Sequence, residues 1–260
     1  MAPSDGSIFD APPPIDPHAM ARRDLQKSLP KRFWKEVSIV EGEGGFGILI
    51  DGRPTRTPNK QAHSLPSSDL AEAIAAEWRG VGEYLDPSEM PLTRILNTAM
   101  EGIAPRLIET ADDISKYAGS DLLCYRATAP TRLVEKQNEL WDPALDWALE
   151  RHRWRFNLAA GVMHVPQPQE TLTDIQNHVR KIIDPLRLAA LHVATTLTGS
   201  AVLALALAEK AFDANTIWTA AHVDEDVQMA IWGQDEEALA RRARRLSEFE
   251  AAVQFLSVQK

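Results

Sequence analysis

Six residues, Gly42-Glu43-Gly44-Gly45-Phe46-Gly47, carry the spacing G-x-G-x-x-G. In a dinucleotide-binding fold that spacing opens a helix whose N-terminus meets a pyrophosphate. Here it runs into Ile48-Leu49-Ile50 and Asp51-Gly52, a strand and a turn, so the glycines predict a hairpin. A kinase also sets such glycines between strands, but its strand lysine, H-R-D and D-F-G are missing. No Walker motif, G-x-S-x-G or H-E-x-x-H occurs either. The histidines (His18, His63, His152, His164, His178, His192 and His222) never fall three or four residues apart, so no local metal pair is expected. The single cysteine, Cys124, excludes an internal disulfide and a multi-cysteine zinc site. It follows Leu122-Leu123 and reads as a small buried hydrophobe, or alternatively as the nucleophile of a spatially assembled hydrolase or transferase site. The chain is therefore expected to be no enzyme, with no catalytic residue, cofactor or metal.

The more informative chemistry lies between Ile217 and Trp232. At 100° per residue, Ile217, Ala220, Val223, Val227 and Ile231 form one aliphatic face of a helix. Trp218, Ala221, His222, Met229 and Trp232 gather opposite, with Glu225 in their midst and Asp224 and Asp226 beside it. A carboxylate centred on aromatic surface is costly to bury alone. Two readings follow: Glu225 pairs with an internal Arg or His or reaches solvent at a rim, or it is an acidic anchor ringed by apolar surface for a protein ligand. On the second reading Gln228 joins Trp218, His222, Met229 and Trp232 in support.

The elements that must position these residues show in the patterning. Residues 1–31 read as a tail punctuated by Pro12-Pro13-Pro14, Pro17 and Pro30, with a short helix possible around Met20–Ser28. From Arg32 a period-2 segment with Phe33, Val37 and Ile39 on one side starts an antiparallel β-meander, and Ser67 or Ser68 then caps a helix. Helices are expected over Thr93–Gly102, Arg106–Tyr117, Thr131–His152 (with a kink or break at Asp142-Pro143), Leu172–Ile183, Leu186–Lys210, Ala214–Trp232 and Glu236–Leu256. A short strand at Leu122–Arg126 and irregular chain from Phe156 to Val165 complete the pattern. The fold class is α+β: a small α/β unit with an antiparallel meander over 32–92, then a larger mostly helical unit over 93–260.

Composition sets the outer limits. The chain has 260 residues, 37 acidic against 28 basic side chains and a net charge of -9, which disfavours nucleic acid and anionic membranes. The longest uninterrupted apolar core, Ala201 to Ala208, is far too short to span a bilayer. Asp5, Asp10 and Asp16 precede the first arginine and no apolar central region follows, unlike a transit or secretory signal, so a bacterial cytoplasmic protein is expected. Most of the seven tryptophans (Trp34, Trp78, Trp141, Trp147, Trp154, Trp218 and Trp232) read as core. Arg241-Arg242 and Arg244-Arg245, with Glu236, Glu237, Glu248 and Glu250 nearby, read as a salt-bridged helix face.

An ordered set of short motifs resembles the ATP synthase assembly chaperones of the Atp-twelve type. The pieces are Arg32-Phe33-Trp34-Lys35, Gly44-Gly45-Phe46, Leu49-Ile50-Asp51-Gly52-Arg53, Thr57-Pro58, Leu70-Ala71 through Glu77-Trp78, and Met90-Pro91-Leu92-Thr93 with Asn97-Thr98. Cys124-Tyr125-Arg126, Gln137, Trp141-Asp142-Pro143, Trp147, Asp224-Glu225-Asp226-x-Gln228 and Trp232-Gly233 follow. The resemblance implies a small α/β domain before a helical one, no catalysis, and stoichiometric binding of the free alpha subunit of the catalytic head by a monomer before beta arrives. It also implies that the family's important glutamate matches Glu225 here. An adaptor for a basic peptide is the alternative.

Overall fold

The computed structural model describes residues 29–161 and 163–258. All but the last residues of the expected tail, and the short helix expected around Met20–Ser28, lie outside them.

The meander forms as predicted. Strand β1 (Val37–Gly42) pairs antiparallel with β2 (Gly45–Ile50), which pairs with the short β3 (Arg53–Pro54). Glycine is required at position 45: φ is +116°, and a Cβ there would lie 2.3 Å from the Leu65 carbonyl oxygen. The glycine-rich run is thus a hairpin turn closed against a neighbouring backbone. Helix α1 (Ser68–Gly80), capped by Ser67, covers the sheet with Leu70, Ala71, Ile74 and Ala75. Trp34 is buried and meets Trp78 edge-on, but Phe33, expected on the inner side with Val37, points to solvent. The irregular backbone before β1 explains the difference, since period 2 holds only inside a strand.

A carboxylate stitches this part to the next. Glu77 of α1 accepts hydrogen bonds from the backbone N–H groups of Leu92 and Thr93 (2.8 and 2.9 Å) and from the Thr93 hydroxyl (2.6 Å). It thereby satisfies the orphan donors at the start of α2 (Pro91–Asn97). The boundary expected at 92/93 falls within the first turn of that helix. His63 bridges Thr55 and Asn97 in the same seam.

Beyond α2 a π-helical turn (Thr98–Ile103) and α3 (Leu107–Lys116) lead to a 3-10 turn at Leu122–Cys124. The strand expected there shrinks to β4 (Tyr125–Arg126), parallel to β5 (Ala159–Ala160). Helix α4 (Thr131–His152) matches its expected ends but runs unbroken through Pro143. Pro143 and Glu139 both lie on the exposed face, where water can take the carbonyl that proline leaves without a donor. Helix α5 (Gln169–Val179) follows. The helix expected over Leu186–Lys210 is two, α6 (Pro185–Thr198) and α7 (Ala201–Ala208). Gly199 ends α6 at φ 67°, and the Ser200 hydroxyl caps α7.

The helix expected over Ala214–Trp232 is also two, α8 (Ala214–Ala221) and α9 (Val223–Trp232), before α10 (Glu236–Ser257) closes over α6 and α2. One hydrophobic cluster runs through all of these elements, from Trp34 to Leu256. Among the described residues no helix is long and apolar enough to cross a membrane.

Asp121 anchors the centre of that cluster. It is fully buried and accepts from the N–H groups of Leu123 and Val202, both at 3.1 Å, so one carboxylate caps two helical turns. Burial pushes its carboxyl up from 3.8 to about 6. Between those values the folded chain holds a proton that the unfolded chain releases, so this group's contribution to stability falls as pH rises through the window and is level above it. Asp121→Asn cannot titrate and must turn an amide N–H toward a backbone donor, at a cost of about 1–3 kcal/mol. Urea unfolding of both proteins from about pH 4 to pH 7 should show the variant less stable throughout, with the gap narrowing toward pH 7.

Candidate functional site

The break between α8 and α9 controls the candidate surface. His222 sits at φ −119°, ψ 16°, outside helical geometry. Its Nδ1–H donates to the Trp218 carbonyl at 2.9 Å, which is the acceptor its own backbone N–H would use in a continuous helix. The N–H turns instead to Thr219 at 3.3 Å. The imidazole is buried, tilted onto Trp218 with centroids 3.8 Å apart, and burial holds its pKa below the ordinary value. The ring is therefore neutral at physiological pH.

The predicted face is divided by that break. Trp218 and His222 point into the core, Trp218 against Phe249 of α10. Asp224 turns inward too, accepting from Gln137 Nε2 at 2.7 Å. Glu225, Gln228, Met229 and Trp232 stay together on the outer side of α9. With Arg241, Arg242 and Arg245 of α10 they line a groove of about 380 Å³. A wheel drawn straight through residue 222 merges two helices whose faces are set independently, and so joins core residues to surface ones.

Glu225 lies in that groove, half exposed, between two guanidinium groups: Arg245 Nη1 at 3.5 Å and Arg242 Nη1 at 3.7 Å. The tight pair belongs to its neighbour, with Arg242 Nη2 2.6 Å from Asp226. The first reading of Glu225, a partner arginine at a rim, is thus the local geometry. Those separations exceed the 2.7–2.9 Å of a strong charge-assisted bond, so the carboxylate keeps acceptor capacity for another donor. At the groove's end Trp232 is 84% exposed, and Ile231 beside it 50%. The arginine run is the salt-bridged face expected of it, paired largely across to α9.

Buried polar contacts from α4 hold this corner. Gln137 accepts from Ala127 N–H at 2.7 Å while donating to Asp224, and Trp141 Nε1 donates to the Ala220 carbonyl at 2.7 Å. Arg126 lies over the Trp141 ring and pairs with Asp142 at 2.7 Å. Motifs scattered from Arg126 to Asp224 thus converge behind the groove.

Among the described residues, the spatially assembled site considered around Cys124 does not form. The thiol is fully buried and burial pushes it up to about 12; the charges acting on it are those of Asp121 and Arg126, with no histidine among them. Sequence spacing also missed a cluster elsewhere: His152, His178 and Glu209 bring one ligand atom each within 4.8 Å of one another. They stand far apart along the chain, so only the fold reveals them.

The chain is a three-stranded sheet on a helical body with an aromatic groove of mixed charge at one corner, and over most of its length it is similar to chaperones. A candidate chaperone from Agrobacterium tumefaciens is 47% identical, with 94% of this chain and 92% of that one covered and a TM-score of 0.83. Residues 31–149 match the family model described as ATP12 chaperone protein. Atp12 from Paracoccus denitrificans is 44% identical over 87% of this chain and 97% of that one, with a TM-score of 0.78. Protein atp12, mitochondrial, of Schizosaccharomyces pombe is 22% identical over 224 residues, 80% of this chain and 75% of that protein. The chain belongs to the ATP12 family of chaperones.

The geometry separates surface from support. Glu225→Lys and Trp232→Ala alter exposed groups, and each should change folding stability by no more than about 1 kcal/mol with an unchanged circular dichroism spectrum. Gln137→Leu leaves the Ala127 N–H and Asp224 without their partner and should cost about 1–3 kcal/mol. Chemical denaturation of the three variants reads the contrast directly.

Proposed function

We propose that this protein is an assembly chaperone of the ATP synthase, binding the free alpha subunit of the catalytic head through the α9–α10 groove until the beta subunit replaces it. The observation that carries this reading is Trp232, a large apolar side chain left in water beside a carboxylate with acceptor capacity to spare. An aromatic anchor next to a partly satisfied charge is the pattern of a protein-binding hot spot. Family membership supports the choice of partner.

Glu225 is the polar centre of the contact, with Gln228, Met229 and Trp232 around it. Asp224, Asp226, Trp218 and His222 act from behind by fixing the course of α9. Binding is stoichiometric, and its affinity stays below that of the obligate alpha–beta contact so that beta can take over. The same proposal assigns monomeric, cytoplasmic action, without catalysis, to a chain divided at about residue 92. The adaptor reading fits less well, because Arg241, Arg242 and Arg245 line the groove and would repel a basic peptide.

Pull-down of the purified chain against separately expressed alpha and beta subunits of its own synthase tests this. Capture of alpha alone, displaced by added beta, is expected. Glu225→Lys and Trp232→Ala should each weaken capture by about tenfold or more. Capture of neither subunit, or undiminished capture by both variants, would count against the partner or the surface respectively.

A further inference from the structure

Three helices end at one point on the face of the body formed by α4, α5 and α7. His152 is the last residue of α4, His178 lies in the last turn of α5, and Glu209 caps the C-terminus of α7. The C-terminal end of a helix carries partial negative charge on its free carbonyls, so three such ends form a setting that favours a cation. The side chains are suited to hold one: two imidazoles and a carboxylate, all half-buried, with their ligand atoms within 4.8 Å of one another.

The rings are held in place. His152 stacks on Trp154 with centroids 4.1 Å apart and planes 12° apart. Trp147 meets His152 edge-on, and Trp154 meets His178 in the same way at 5.4 Å. Both Nε2 atoms then face one carboxylate oxygen, Glu209 Oε1, at 3.1 and 3.0 Å. That oxygen is buried, yet neither imidazole makes a well-aligned hydrogen bond to it. The hydrogen bond from His152 goes to the other oxygen, Oε2, which also has Arg151 Nε at 3.9 Å. The two nitrogens and the carboxylate therefore converge at contact distance, with His152 hydrogen-bonded through Oε2 and both imidazoles within ion-pair reach of Oε1. Bonds of 2.0–2.1 Å in a tetrahedral zinc site set neighbouring ligands about 3.3–3.4 Å apart, near the two nitrogen–oxygen separations found here.

We propose that His152, His178 and Glu209 form a binding site for a borderline divalent transition-metal ion, zinc foremost, which joins the ends of α4, α5 and α7. Two imidazoles and one carboxylate suit zinc and disfavour calcium or magnesium, which prefer oxygen-only shells. The His178 side chain is partly exposed, so water and ions can reach the cluster. The ion tightens this part of the helical body and touches none of the residues of the α9–α10 groove.

The full chain, stripped with EDTA and dialysed, is titrated with Zn²⁺ by calorimetry, and with Co²⁺ as a spectroscopic probe. One equivalent per chain at micromolar affinity or tighter is expected, with the visible bands of four-coordinate Co²⁺ and a rise in Tm on adding metal. His178→Ala and Glu209→Gln should each weaken binding by at least about tenfold, because even an outer-shell change in a zinc site costs that much. His192→Ala, at a histidine outside the cluster, should bind as the parent does. Circular dichroism of each variant confirms that it is folded. Binding weaker than micromolar, or binding retained in both His178→Ala and Glu209→Gln, overturns the proposal.

Discussion

Gln137 and Trp141 lie one turn apart on the buried side of α4 and reach the same corner of the molecule. Trp141 donates to the Ala220 carbonyl, in the last turn of α8, where a helix runs out of its own donors. Gln137 donates to Asp224 in the first turn of α9. One end of each short helix is thus satisfied from a single rigid rod. A helix of eight residues followed by one of ten has little stability of its own, so these external contacts decide where α9 lies. The groove exists because α9 is held at that angle while α10 supplies arginines opposite it.

Charge in this region is arranged in two grades. The Arg242–Asp226 contact is short and fixes the spacing of α9 and α10, whereas Glu225 stands at longer range from two cations. A carboxylate held in place by its neighbours but not saturated by them is attracted to the helix pair and still available to a ligand.

Much of this was legible without coordinates. Local chemistry marked the glycine hairpin, the Ser67 cap and both ends of α4, because each depends on residues within a turn of itself. Glu225 and Trp232 stood out by type and spacing. The misreadings have different causes. Pro143 suggests a kink or a break, but it falls on a solvated face. Gly199-Ser200 held the signal for a helix stop and a new cap, masked by strongly apolar neighbours. His222 has no helix-breaking character, and only its ring, competing for the Trp218 carbonyl, separates α8 from α9. Asp121 and the His152–His178–Glu209 group gain their meaning from residues many positions away.

Helix α7 has no polar side. All eight of its residues are buried, enclosed by α4, α6, α8 and α10. The last of these, Glu236–Ser257, lies C-terminal to it. During synthesis the Ala201–Ala208 segment leaves the ribosome before the helix that covers it. The nascent protein therefore passes through a stage in which its most apolar stretch is unshielded by that helix. A protein of a chaperone family thus has, in its own biogenesis, an interval of exposed apolar surface whose length is set by the rate at which α10 is made.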